Sequence, residues 1–159
     1  MSRAFVKEQD GADVPEDFPE RPISTHPNFV TARGLRFIEG QVHEIELQRE
    51  RAKQEEDKGA LTTIERELRY WQQRKATARL TEPEGPPEKV RFGMRVTLLL
   101  HDRSERQFLL VGEDEADPAA GSISWVSPVA QQLLGKEVGD EIELQGHRAE
   151  ILRIDIPAT

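Results

Sequence analysis

Residues 31–80 read TARGLRFIEGQVHEIELQRERAKQEEDKGALTTIERELRYWQQRKATARL, and the spacing of their apolar side chains decides the fold. In the first half Leu35, Ile38, Val42, Ile45, Arg49 and Ala52 follow one another at alternating steps of three and four. The second half repeats the rhythm with Leu61, Ile64, Leu68, Trp71, Lys75 and Ala78. Such a seam belongs to helices that pack in pairs, because an a/d repeat brings one narrow stripe to the same side at every turn. Between the halves stand Glu55, Glu56, Asp57, Lys58 and Gly59. A chain reversal there pairs Ala52 with Ile64, Arg49 with Leu68, Ile45 with Trp71, Val42 with Lys75 and Ile38 with Ala78. The register is constant, so the sequence predicts an antiparallel helical hairpin over 31–80 with an acidic tip at Glu55, Glu56 and Asp57.

Local signals bound the hairpin. Thr31 occupies an N-cap position, where its hydroxyl can accept from an amide of the first turn. Gly59 can end the first arm, and Thr62 with Glu65 forms a candidate capping box for the second. Pro83, Pro86 and Pro87 are placed to stop it. An ordinary amphipathic pair lying on a globular core is the competing reading of the same residues.

After the prolines the period changes to alternation. Val90, Phe92, Met94, Val96, Leu98 and Leu100 share one parity and predict a strand with one buried face. A turn at Asp102-Arg103-Ser104 leads to a second strand over 107–111, closed by Gly112. Ile123 to Val126 predicts a third strand. Ser127-Pro128 opens a short helix that Gly135 ends, with serine at the cap and proline at the first helical position. Val138-Gly139-Asp140 turns into a strand with Ile142 and Leu144 inward, and Ile151, Ile154 and Ile156 mark the last strand. The fold class is therefore α+β, a helical hairpin followed by a small antiparallel sheet with one helix. The segments are a leader at 1–30, the hairpin at 31–80, a linker at 81–89 and the sheet domain at 90–159. Pro15, Pro19, Pro22 and Pro27 make the leader extended or disordered, with Ala4-Phe5-Val6 a candidate edge strand.

The formal charge of −8 is uneven. Residues 1–30 hold three bases against six acids, 31–80 eleven against nine, and 81–159 eight against fifteen. An acidic sheet domain is a poor match for a phosphate backbone, whose affinity comes from lysine and arginine clusters, so no specific nucleic-acid binding is expected and a basic protein surface fits better. With 36% hydrophobic and 33% charged residues the chain suits a surface-rich shape over one large core. The absence of cysteine removes disulfides and thiolate zinc sites. No long apolar run or signal-peptide core stands out, so the cytoplasm is the expected location and no membrane contact is expected. His26, His43, His101 and His147 are scattered without metal-ligand spacing, and no nucleophile motif or phosphate-cradling loop is present. The acids Glu113, Asp114, Glu115 and Asp117 lack the spacing of a calcium loop. No catalytic residue, metal site or cofactor is predicted.

Several stretches together resemble one family. Phe29-Val30-Thr31-Ala32-Arg33-Gly34-Leu35 is similar to the hydrophobic-Thr-x-x-Gly start of the first helix in the bacterial Gre transcript-cleavage factors. Val111-Gly112-Glu113-Asp114-Glu115-Ala116-Asp117, Ile123-Ser124, Ser127-Pro128 and Leu134-Gly135-Lys136-Glu137-Val138-Gly139-Asp140 resemble that family's C-terminal domain in order and spacing. The resemblance implies an N-terminal coiled coil and an FKBP-like C-terminal domain. It implies RNA polymerase as partner, the C-terminal domain docking at the rim of the secondary channel through Trp125, Val126, Ser127 and Pro128 while the coiled coil inserts. It also implies a monomer that modulates elongation or initiation, a transcription factor without catalysis of its own. In the family, acids in a Gly-Asp-x-x-Glu-Asn type motif at the hairpin tip help hold a catalytic Mg²⁺. This chain lacks the motif, and its hairpin is shorter by about one heptad per arm, or about 10 Å. It thus resembles a short coiled-coil paralogue of the Rnk type. Transcript cleavage through Glu55, Glu56 and Asp57, sharing the polymerase's Mg²⁺, is the alternative, and an FKBP-like isomerase or chaperone module a second one.

Overall fold

The computed structural model describes residues 19–158; the candidate strand at Ala4-Phe5-Val6 lies outside them. The chain divides into two compact units, one of Glu39–Ala76 with the described residues up to Thr25, the other of His26–Ile38 with Thr77 onward.

In the first unit helix α1 (Ala32–Gln54, of which Glu39 onward belongs here) and helix α2 (Lys58–Thr77) form the two arms. Val42, Ile45, Ala52, Leu68 and Trp71 are buried along the expected seam, and Ile64, Leu61 and Arg49 are half-buried. The seam departs from expectation near its open end. Arg74 is buried at 2% exposure while Lys75 is exposed. Ala78 is no longer helical.

The tip is built differently from the sequence reading. Gly59 does not end the first arm, and Thr62 with Glu65 does not open the second: α2 starts at Lys58, with Gly59 inside its first turn. Glu56 takes a left-handed conformation at φ 54°. Its amide donates to the Lys53 carbonyl (3.1 Å) and the Asp57 amide to the Ala52 carbonyl (3.1 Å), the paired bonds of a Schellman closure. Asp57 at once becomes the N-cap of α2, its Oδ1 accepting from the Ala60 amide at 3.1 Å. Thr62 and Thr63 donate their hydroxyls back to the Lys58 and Gly59 carbonyls instead of capping. An aspartate that satisfies an orphan amide outcompeted the glycine as the punctuation mark.

This geometry yields a direct expectation. A side-chain-bearing residue in the left-handed region costs about 1–2 kcal/mol, part of which glycine gives back through the entropy of the unfolded chain. Glu56→Gly is therefore expected to stabilise the hairpin by about 0.5–1 kcal/mol, read as a higher urea midpoint followed by far-UV circular dichroism. A lower midpoint would show that the Glu56 side chain contributes more than its backbone costs.

In the second unit, strand β1 (Phe29–Val30) pairs in parallel with β2 (Arg79–Leu80). That pairing ends α2 well before the prolines. The Arg79 amide donates to the Asn28 carbonyl (2.8 Å) and the Thr81 amide to the Val30 carbonyl (2.9 Å), so extended backbone replaces the next helical turn. The main sheet has the order β5-β4-β3-β7-β6, from β3 (Arg95–Leu99), β4 (Glu105–Val111), β5 (Ser122–Ser124), β6 (Glu141–Leu144) and β7 (His147–Asp155). It is mixed, since β4 and β5 run parallel while the other pairs are antiparallel. The purely antiparallel sheet of the sequence reading is corrected at that edge. The expected first strand also begins later, because Gly93 turns at φ 86° and returns Met94 to bond Arg91. Met94, Val96 and Leu98 remain inward, joining Leu110, Leu133 and Ile151 in a core with no solvent contact. Ile156 lies outside this core, 40% exposed. Helix α3 (Pro128–Leu133) covers the sheet with Ala130 and Leu133, its N-cap Ser127 accepting from the Ala130 amide.

Candidate functional site

At the hairpin tip the three acids have different duties. Asp57 is occupied by its capping bond, whereas Glu55 and Glu56 are exposed. Among the described residues no three His, Asp or Glu side chains converge as a metal-binding group.

Behind the tip, residues 20 and 21 strap the second arm, a feature the sequence reading did not contain. Arg21 bonds Glu67 at 2.9 Å and lies over the Tyr70 ring, 3.8 Å from its centroid. Glu20 receives both Nε and Nη2 of Arg69, and this bond holds its carboxyl below the ordinary range. The forked geometry and the ring stack make these contacts more directional than single surface ion pairs, though both remain solvent-screened. Arginine on an aromatic face needs only the sequence Tyr70-Trp71 opposite it; nothing within the strap itself announces the pairing.

In the second unit, the residues of the helix start and the acidic loop explain one another. Thr31 caps α1 by accepting the Gly34 amide at 2.9 Å, and its hydroxyl donates to Glu115 Oε1 at 2.6 Å. A carboxylate is well placed at a helix N-terminus, where unpaired amides carry positive charge. Gly34 leaves room for it: a Cβ there would stand 2.6 Å from Glu115 Oε1. Gly112 leaves room for strand β1, since its Cβ would stand 2.4 Å from the Phe29 carbonyl oxygen. Thr31, Gly34, Gly112 and Glu115 thus form one clasp. A cleft of about 340 Å³ beside it is lined by Arg33, Phe37, Asp114, Glu115, Asp117 and Ser122, among others.

Of the docking candidates, Trp125 is partly covered. Its ring is half-buried against Phe29 (centroids 5.1 Å apart) and His26 (5.8 Å), and its indole Nε1 finds no acceptor among the described residues. Val126 and Ser127 are half-buried and Pro128 is exposed. Ser127 is committed to capping α3, and Gln131 Nε2 donates to the Trp125 carbonyl at 2.8 Å, which fixes the loop. The surface offered here is therefore Pro128 and the loop backbone more than the indole.

The sheet with its short Ser-Pro helix is the part of the chain that a family model matches: residues 85–156 match the family described as transcription elongation factor, GreA/GreB, C-term. Over this C-terminal part the chain is similar to the GreA/GreB transcription elongation factors. It is 45% identical over 80 residues to transcription elongation factor GreA of Rhizobium leguminosarum bv. viciae, covering 47% of this chain and 49% of the relative. Against transcription elongation factor GreA of a Nitratiruptor species it is 37% identical over 105 residues, 65% of this chain and 64% of the relative. The chain thus spans about half the length of the first of these relatives and under two thirds of the second. Among solved structures, the elongation factor GreA/GreB from Nitrosomonas europaea is similar at 24% identity and TM-score 0.40, covering 80% of this chain and 98% of that one.

Proposed function

We propose that this protein binds bacterial RNA polymerase at its secondary channel, the sheet domain docking on the rim through Trp125, Val126, Ser127 and Pro128 while the helical hairpin inserts. It modulates transcription in the cytoplasm, as a monomer without catalysis of its own. The observation that carries the reading is the match of residues 85–156 to the GreA/GreB C-terminal domain. Within the hairpin, the tip supports occupancy over metal chemistry: its aspartate is spent on the Ala60 amide. Mg²⁺ takes hard oxygen ligands, and a carboxylate already bonded to a helix N-terminus is a weaker one. A second reading, stimulation of transcript cleavage, draws on the exposure of Glu55 and Glu56.

A stalled, backtracked elongation complex separates the two. The protein is expected to bind the complex and leave RNA length unchanged. RNA shortening that disappears in the Glu55→Ala, Glu56→Ala double variant would overturn this and establish the second reading. Asp57→Asn serves as the folding control, because asparagine caps as well as aspartate does.

A further inference from the structure

Two of the histidines that are 46 positions apart in sequence meet face to face. The rings of His101 and His147 stack with centroids 3.8 Å apart and planes inclined by 16°, so the scattered-histidine reading is corrected for this pair. Both are exposed. Neither is carried on a loose segment. His101 stands in the β3–β4 turn, which is closed by the Leu100 amide on the Ser104 carbonyl (2.8 Å) and the Arg103 amide on the Leu100 carbonyl (3.0 Å). His147 follows the tight turn at Gln145 and Gly146, both at positive φ (53° and 82°), as in hairpin turns whose twist matches the strands. These turns end β3 and begin β7, neighbours paired out to Leu99 and Glu150.

From this geometry we infer that His101 and His147 form a two-imidazole site for a borderline divalent transition metal of the Zn²⁺, Ni²⁺ or Cu²⁺ class. Imidazole nitrogen is the ligand these ions share, at about 2.0–2.1 Å for zinc. Two such bonds at a tetrahedral centre set the nitrogens about 3.3 Å apart with their in-plane lone pairs converging, so the stacked rings, 3.8 Å apart, would open to a splayed pair on binding, which the exposure of both side chains permits. Water completes the coordination. Asp102 follows His101 in the turn, and Arg148 is drawn to Glu141 at 3.5 Å. Asp102 is held in place by the Ser104 amide (3.0 Å) and hydroxyl.

Titration of the full chain with ZnCl₂ by calorimetry, and with CuCl₂ by amide NMR, tests the site. One equivalent is expected to bind. His101→Ala and His147→Ala are each expected to weaken binding by about tenfold or more, since losing a ligand costs at least what losing its outer partner does. His43→Ala is expected to change nothing. Copper broadening is expected at residues 101–104 and 145–149. Binding that survives both variants, broadening centred on 55–57, or no saturable binding would overturn the inference; circular dichroism on both exposed-site variants confirms that they remain folded.

Discussion

Gly112→Ala is expected to destabilise the sheet unit by about 3 kcal/mol, the upper end of what overpacking one methyl costs. The reason is the identity of the obstructing atom. The new Cβ would stand 2.4 Å from the Phe29 carbonyl oxygen and 3.6 Å from the Val30 Cα, both backbone. No rotamer change can relieve that contact. At Gly34, by contrast, the obstruction is the carboxylate end of Glu115, which can swing away at the loss of its bond to Thr31. The effect of alanine at Gly112 should therefore exceed that at Gly34. Urea unfolding measures the difference, and amide exchange locates it: in Gly112→Ala the Arg79 and Thr81 amides, which depend on Asn28 and Val30, are expected to lose protection. Equal small effects at both glycines would show that β1 is free to move.

Trp71→Ala is expected to cost about 3–4 kcal/mol, within the range for removing a buried aromatic side chain. Few apolar residues share the work in the hairpin unit. Among the described residues of this unit Val42, Ile45, Ala52 and Leu68 are the other buried ones, and Trp71 is the largest of them. Its ring also meets Tyr70 edge-on at 5.1 Å, and Arg21 lies 5.5 Å from its centroid. Helical stability in proteins comes mostly from packing of an amphipathic face, so loss of the seam should unwind both arms together. Far-UV circular dichroism would fall while the sheet signals in NMR persist. Retention of full helicity at the wild-type urea midpoint would mean that the strap, and not the seam, holds the arms.

Much of the hairpin was legible because an a/d stripe is a local signal. Val42, Ile45, Ala52, Leu68 and Trp71 are buried as their spacing demands. Boundaries were less legible. Asp57 and Gly59 both punctuate helices, and only the Schellman bonds of Glu56 and Asp57 decide between them. The end of α2 was set by β1, a partner distant in sequence whose two residues carry no strand pattern of their own. The same limit applies to the site. Thr31 was readable as a cap, but its bond to Glu115 spans 84 positions, and Arg21 reaches Glu67 over 46. The reading of Ser127-Pro128 as a helix start succeeded because capping depends on adjacent residues alone. Whether the Trp125 ring is covered was not legible, because a tryptophan beside a turn carries no local mark of it; Phe29 and His26 lie against it.

The most direct test of the account is equilibrium binding of the full chain to bacterial RNA polymerase, alone and in competition with a GreA factor, repeated with Pro128→Glu. Pro128 is exposed at the first position of α3, where an acidic side chain suits the helix N-terminus and leaves the fold intact. Saturable binding that GreA displaces and Pro128→Glu weakens about tenfold, or about 1.4 kcal/mol, is the predicted result. Absence of binding, or binding that GreA leaves untouched, would contradict it.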